Sequence, residues 1–193
     1  MSFYTALHNI KTVNNYSEKN ITEGGQSLCL SCGLCCTDYF HPKANIQNEN
    51  DKIIVLKFGG KVMNHNNKQY FRLPCPAFEE NCTIYKDRPS SCRKHQCDLL
   101  KSVLNNRIGL NQAKLITKNT KAIASELSHM LDNMSESIKT KEFQSRIRYF
   151  FEQYEQNKDT PEFKHKHAHL LMKFATFIFL KDKYFYKPKE IIK

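Results

Sequence analysis

Eight cysteines lie between Cys29 and Cys97, and the 96 residues that follow contain none. Their order is Cys29-x2-Cys32-x2-Cys35-Cys36 and, after a gap, Cys75-Pro76-x5-Cys82-x9-Cys92-x4-Cys97. So many thiols in so short a span constrain the fold more than any other feature, because free thiols in such numbers invite oxidation. Disulfides need an oxidising compartment, and adjacent Cys35 and Cys36 would have to find different partners or close a strained ring. The segment Met1 to Val13 has neither the apolar stretch nor the small-residue cleavage site of a secretory signal, so a cytoplasmic chain with reduced thiols is expected. Metal ligation is then the better reading.

Thiolates suit zinc and the iron of iron–sulfur clusters. With four ligands to each tetrahedral zinc, eight thiolates would close two structural sites. A [4Fe–4S] cluster also takes four cysteines, and Cys29, Cys32 and Cys35 repeat the two-residue steps that begin a bacterial ferredoxin pattern. The analogy stops there, since 39 residues separate Cys35 from the Cys75-Pro76 pair. The expected ligands are Cys29, Cys32, Cys35, Cys36, Cys75, Cys82, Cys92 and Cys97, and the expected cofactor is an iron–sulfur cluster such as [4Fe–4S], or zinc. Arg88 and Arg93 lie within the same region, where a guanidinium can donate hydrogen bonds to thiolate sulfur and offset its charge.

The chain has 193 residues, of which 40% are hydrophobic, and 13 Phe and 9 Tyr supply enough apolar surface for a real core. Its most apolar run, Phe174 to Leu180, is far shorter than the ~18 residues that a membrane-spanning helix needs, so no transmembrane segment is expected. The formal net charge of +11 is uneven: residues 1–100 carry 12 basic and 9 acidic side chains, residues 101–193 carry 18 and 10. The fold class expected is mostly α with a small irregular, metal-organised Cys-rich module, α+β at most. Four regions are expected: an N-terminal arm (1–28), the Cys-rich module (29–98), a helical region packed on it (99–180) and a basic tail (181–193).

Within the module, Ile53 to Phe58 and Gln69 to Leu73 suggest two strands of a small hairpin around Gly59-Gly60. Beyond it the period turns helical. Leu99, Leu100, Val103 and Leu104 start a short helix, and Asn111 could cap a longer one with Ile116, Ile123, Leu127, Met130 and Met134 on one face. Phe143, Ile147, Phe150 and Tyr154 mark a third helix, flanked by Arg146 and Arg148. Thr160-Pro161-Glu162 starts a fourth, running to about Leu180, in which Phe163, His167, Leu170, Phe174 and Phe177 form a core stripe. His165 and His169 share a face of it and read as solvated rather than metal-bound.

The chain resembles the YkgJ-type CxxCxxCC cysteine-cluster family, described as a zinc- or iron-chelating domain. The resemblance rests on Cys29-Leu-Ser-Cys32-Gly-Leu-Cys35-Cys36, on Cys75-Pro-Ala-Phe, and on Cys82-Thr-Ile-Tyr85-Lys-Asp-Arg88-Pro89-Ser-Ser-Cys92-Arg93-Lys-His95-Gln-Cys97, covering roughly residues 26–100. It implies that all eight cysteines belong to the chelating module. His95 departs from the pattern, standing where the family has Phe or Tyr. It either fills a ring-sized space or brings a nitrogen near the metal.

Three functions compete. The first is a metal-binding protein whose iron–sulfur cluster or zinc is structural or senses redox state or iron. The second, implied by the resemblance because such clusters occur in flagellin lysine methylases, is a metalloenzyme that modifies a protein or peptide. The third is a nucleic-acid or protein-partner binding module using the basic helices. No P-loop, dinucleotide fingerprint or serine-hydrolase elbow is present, and no acid–base pair stands out, so no catalytic residue is assigned.

Overall fold

The structure, a computed structural model, describes residues 24–134 and 142–186. Most of the expected N-terminal arm and the end of the basic tail lie outside the described residues. The architecture is mostly α, with one small antiparallel sheet, as the composition and periodicity suggest.

The first described element is a helix through residues 24–32, here α1, which corrects the reading of residues 24–28 as part of a loose arm. Gly25 serves close packing: a Cβ there would stand 2.8 Å from Leu104 Cδ2 and 3.2 Å from Leu100 Cδ1, so only a bare backbone can approach this neighbour. Leu28 of α1 is buried. The helix ends at Gly33, whose φ of +71° a residue with a Cβ adopts only at a cost.

The sheet is built from β1 (Lys43–Ile46), β2 (Val62–His65) and β3 (Lys68–Arg72) in the order β1-β3-β2. Both pairings are antiparallel, with Asn45 opposite Tyr70 and Met63 also opposite Tyr70. Its hairpin is β2–β3, closed by Asn66 and Asn67 with φ of +48° and +58°, the backbone that a two-residue turn between twisted strands demands. The segment Ile53 to Phe58, expected as a strand, is instead the second half and the C-cap of a helix, α2 (Glu49–Lys57). The local signal was at its start: the Asn48 side chain accepts from Asp51 N at 2.9 Å, and Glu49 and Asp51 place acids in the first turn. Val55 of α2, with Phe71 and Leu73, forms the small core beneath the sheet.

A two-residue ladder, β4 (Phe78–Glu79) with β5 (Asn81–Cys82), leads to a 3₁₀ turn at Tyr85–Asp87 and then to α3 (Ser90–Lys94) and α4 (Asp98–Leu104). Three long helices follow: α5 (Leu110–Asp132), α6 (Phe143–Asn157) and α7 (Pro161–Leu180), the last continued by a π-helical turn, Lys181–Phe185. The expected start of α7 at Pro161 is observed. Asn111, expected as the cap of α5, lies inside its first turn, and Gly109 holds the cap position.

The fully buried line of α5 is Ala113, Thr117, Thr120, Ala124, Leu127 and Leu131. Ile116, Ile123, Met130 and Met134, expected to lead that face, are half-buried on its flank. Small side chains on the innermost line let neighbouring elements come close, and that favours them over larger apolar ones. Leu127 and Leu131 join Phe143, Phe150, Leu170 and Phe177 in the main core, to which the Cys-rich segment contributes Leu28, Leu34 and Phe40. Part of the module therefore shares the core of the helices, while Val55, Phe71 and Leu73 form a core of their own. Among the described residues no helix is long and apolar enough to cross a membrane.

Candidate metal centre

All eight cysteines are free thiols, half-buried, and supplied by separate short elements of the same region. Cys29 and Cys32 stand three residues apart on α1, so one face of its last turns carries both. After Gly33 the chain turns tightly: Cys36 N and Thr37 N both donate to Gly33 O, at 2.8 and 2.9 Å, and this presents Cys35 and Cys36 in succession. Gly33 is also held by contact, because a Cβ there would lie 2.1 Å from the Phe78 ring. Cys75 N donates to Cys36 O at 2.7 Å, Phe78 N donates to Cys75 O at 3.1 Å, and Phe78 pairs with Cys82 across the short ladder. Cys92 lies in α3. Cys97 caps α4, its Sγ accepting from Leu100 N at 3.5 Å.

Asp51 fixes α3 from a distance. Its carboxylate, buried under α2, accepts from Ser90 N (2.8 Å), Ser90 Oγ (2.9 Å) and Gln47 N (3.1 Å). Burial alone would raise this carboxyl, but those donors and the Arg93 charge outweigh it and hold it below its usual value.

Burial pushes the thiols up: Cys32 to about 12, Cys92 to about 11, and Cys29, Cys35, Cys36, Cys75 and Cys97 in the same direction, with neighbouring thiols adding to the effect. Thiolates so crowded repel one another, and a bound cation is what would let them ionise together. Without a metal these seven thiols therefore keep their protons at neutral pH, and a metal must displace them.

The two arginines part company here. Arg88 stacks on the Tyr85 ring, its guanidinium carbon 3.5 Å from the centroid, and its charge lowers Cys29 and Cys92. Its Nε is buried without a hydrogen-bond partner, a donor that thiolate sulfur could use. Arg93 is exposed, donates to Ser90 Oγ at 3.3 Å, and faces Asp51. Lys121 of α5 donates to Ser31 O at 3.4 Å and lowers Cys32.

Sequence reasoning missed His41 and Tyr186. Tyr186 Oη lies 2.6 Å from His41 Nε2, 3.2 Å from His95 Nε2 and 3.8 Å from Cys35 Sγ. One phenolic proton serves only one acceptor, so at least one of the two imidazoles donates from Nε2. Burial lowers both histidines, His41 further through His95 and Lys181, and His95 through Lys101. The donor atoms of Cys35, His41 and His95 lie within 4.8 Å of one another, a spacing that could hold a metal ion, and the Tyr186 hydroxyl bridges them. His95 thus does more than fill a ring-sized space. His167 packs between the Phe150 and Phe163 rings, with centroids at 5.8 and 4.4 Å, while His165 and His169 are exposed.

An open groove of about 530 Å³ borders the site, lined among others by Gln26, Ser27, Leu30, Cys82 and Tyr85.

Residues 28–120 match the sequence profile of the family CxxCxxCC, "Putative zinc- or iron-chelating domain". The matched segment, just under half of the chain, runs past the last cysteine through α4 and half of α5, which agrees with the shared core described above. No curated protein and no solved structure matches the chain significantly.

Proposed function

We propose that the CxxCxxCC domain binds zinc or an iron–sulfur cluster through its eight cysteines, and that the metal is structural, holding the sheet and the short helices α3 and α4 against the long helices. The observation that carries this reading is that eight half-buried free thiols, supplied by α1, the turn after it, the Cys75 loop, β5, α3 and the cap of α4, lie near enough to act on one another electrostatically. Crowded thiolates need a cation to ionise together, and the donor set is one that zinc and iron–sulfur clusters use. The boundaries of such a module, residues 29–98, and of the helical region, 99–180, belong to the same proposal.

Anaerobic purification of the full chain from cells supplied with iron and zinc, followed by metal and acid-labile sulfide analysis with an absorption spectrum, tests it. A colourless protein with stoichiometric zinc supports closed structural sites. A brown protein with matched iron and sulfide supports a cluster and opens a redox-sensing role. A folded protein with neither metal overturns the reading.

A further inference from the structure

The domain has two apolar cores, and the cysteines divide between them. Cys32, Cys35 and Cys97 pack against the core of the long helices. Cys75 and Cys92 pack against the core of Val55, Phe71 and Leu73 beneath the sheet. Backbone geometry places the other three. Cys29 shares a helical face with Cys32, three residues on. Cys36 is bound to the Cys75 backbone at 2.7 Å, and Cys82 pairs with Phe78, whose N–H is bonded to Cys75 O.

We infer that the eight cysteines form two separate four-thiolate metal sites, Cys29, Cys32, Cys35 and Cys97 on the helical side and Cys36, Cys75, Cys82 and Cys92 on the sheet side. Each site offers the ligand number of one tetrahedral zinc ion or one [4Fe–4S] cluster. The adjacent pair Cys35 and Cys36 is the divide, sending one thiol to each side.

The electrostatic neighbours agree. The thiol that acts most on Cys29 is Cys97, on Cys32 it is again Cys97, and on Cys35 it is Cys32. On Cys36 and on Cys92 it is Cys75, and the thiol acting on Cys75 is Cys82. Weaker coupling crosses the divide, from Cys82 and Cys92 to Cys29 and from Cys35 to Cys36, so the sites are close neighbours. Arg88 acts on Cys29 and Cys92, one ligand of each set. Only the helical-side site has Tyr186, His41 and His95 beside it.

The inference rests on the metal-chelating function proposed above, and the experiment separates the two. The full chain is loaded with Zn²⁺ anaerobically and its stoichiometry read by native mass spectrometry, for the wild type and for two double variants. Cys32→Ser with Cys97→Ser, both from one set, should reduce about two zinc ions to about one. Cys32→Ser with Cys75→Ser, one from each set, should lose both. A same-set variant that is folded yet loses both, or a cross-set variant that keeps one, overturns the pairing. Wild-type chain that takes up no zinc and carries no iron–sulfur cluster overturns the function and the pairing together.

Because serine at these positions can unfold a core, the wild-type chain provides a second reading. Stepwise zinc removal by a chelator, with alkylation of the released thiols and peptide mapping, should expose the cysteines in the two sets named. Cys35 and Cys36 becoming reactive together, or all eight as one set, overturns the division.

Discussion

Tyr186 Oη lies 2.6 Å from His41 Nε2, across 145 residues of chain. The contact ties the end of the π-helical turn after α7 to the loop that follows Cys35 and Cys36, and the same hydroxyl reaches His95 and Cys35. Burial and the nearby thiols push the Tyr186 phenol well above its usual value, so it is a neutral donor and acceptor at any ordinary pH. Tyr186→Phe keeps the ring contact with Phe40, at 5.5 Å between centroids, and removes only the hydroxyl. Leaving two half-buried imidazoles without this partner should cost about 1–2 kcal/mol, read as a lower urea midpoint with an unchanged slope. An unchanged midpoint would show that the hydroxyl does not anchor the C-terminal turn.

Asp51 connects α2 to the first residue of α3, two residues before Cys92. Its lowered folded-state value sets the sign: the stabilisation is fully present above the ordinary aspartate pKa of about 3.9 and is lost as pH falls through the lower folded value. Asp51→Asn should cost about 2 kcal/mol at neutral pH and flatten the acid limb of the stability curve below pH ~4. Equal pH dependence in wild type and variant would assign that limb to other groups.

Gly33 combines a left-handed backbone with a ring where its Cβ would be. Gly33→Ala should therefore destabilise the turn that presents Cys35 and Cys36, by about 1 kcal/mol from the backbone and about 1–3 kcal/mol more from overpacking against Phe78. Only the second part can be relieved from outside. A double-mutant cycle with Phe78→Ala should show a favourable coupling of that size, and strict additivity would contradict the contact.

Legibility differed by element for physical reasons. The start of α7 was readable because Thr160-Pro161-Glu162 acts locally, and the helical stripes of α6 and α7 were readable because each buries one face. Ile53 to Phe58 misled because a short apolar run has no period of its own, while the deciding signal, Asn48 with Asp51, lay upstream. Arg146 looked like a flanking residue of α6; it is buried, ion-paired with Asp132 and bonded to Ser128 O and Ser128 Oγ. The match to the CxxCxxCC family profile was legible from the cysteine spacing together with the run from Ile84 through Arg88-Pro89 to Cys92-Arg93. The His41–Tyr186–His95 contact was not, because no local pattern announces a meeting of residues so far apart.

Arg146 also yields a prediction. Asp132→Ala removes the ion pair of a buried guanidinium whose remaining hydrogen bonds go to Ser128, with the Asp38 charge nearby. Removing one partner of a buried pair typically costs about 3–5 kcal/mol, and partial exposure of Asp132 puts this case at the lower end. Arg146→Met with Asp132→Ala should recover much of the loss, since the aliphatic chain can fill the space without a charge. A double variant no better than the single would mean that packing, not the unpaired charge, sets the cost.

The sheet side should depend on metal more than the helical side. Its core has three buried apolar side chains, Val55, Phe71 and Leu73, with half-buried neighbours that include Cys75 and Cys92, whereas α5, α6 and α7 share a core of many large side chains. Stripping the metal from wild-type chain should therefore abolish amide-exchange protection in Lys43–Ile46 and Lys68–Arg72 while Leu110–Asp132 and Pro161–Leu180 keep most of theirs. Loss of protection throughout all of these elements would mean that the shared core, too, needs the metal. Retention in the strands would remove the structural role assigned to it.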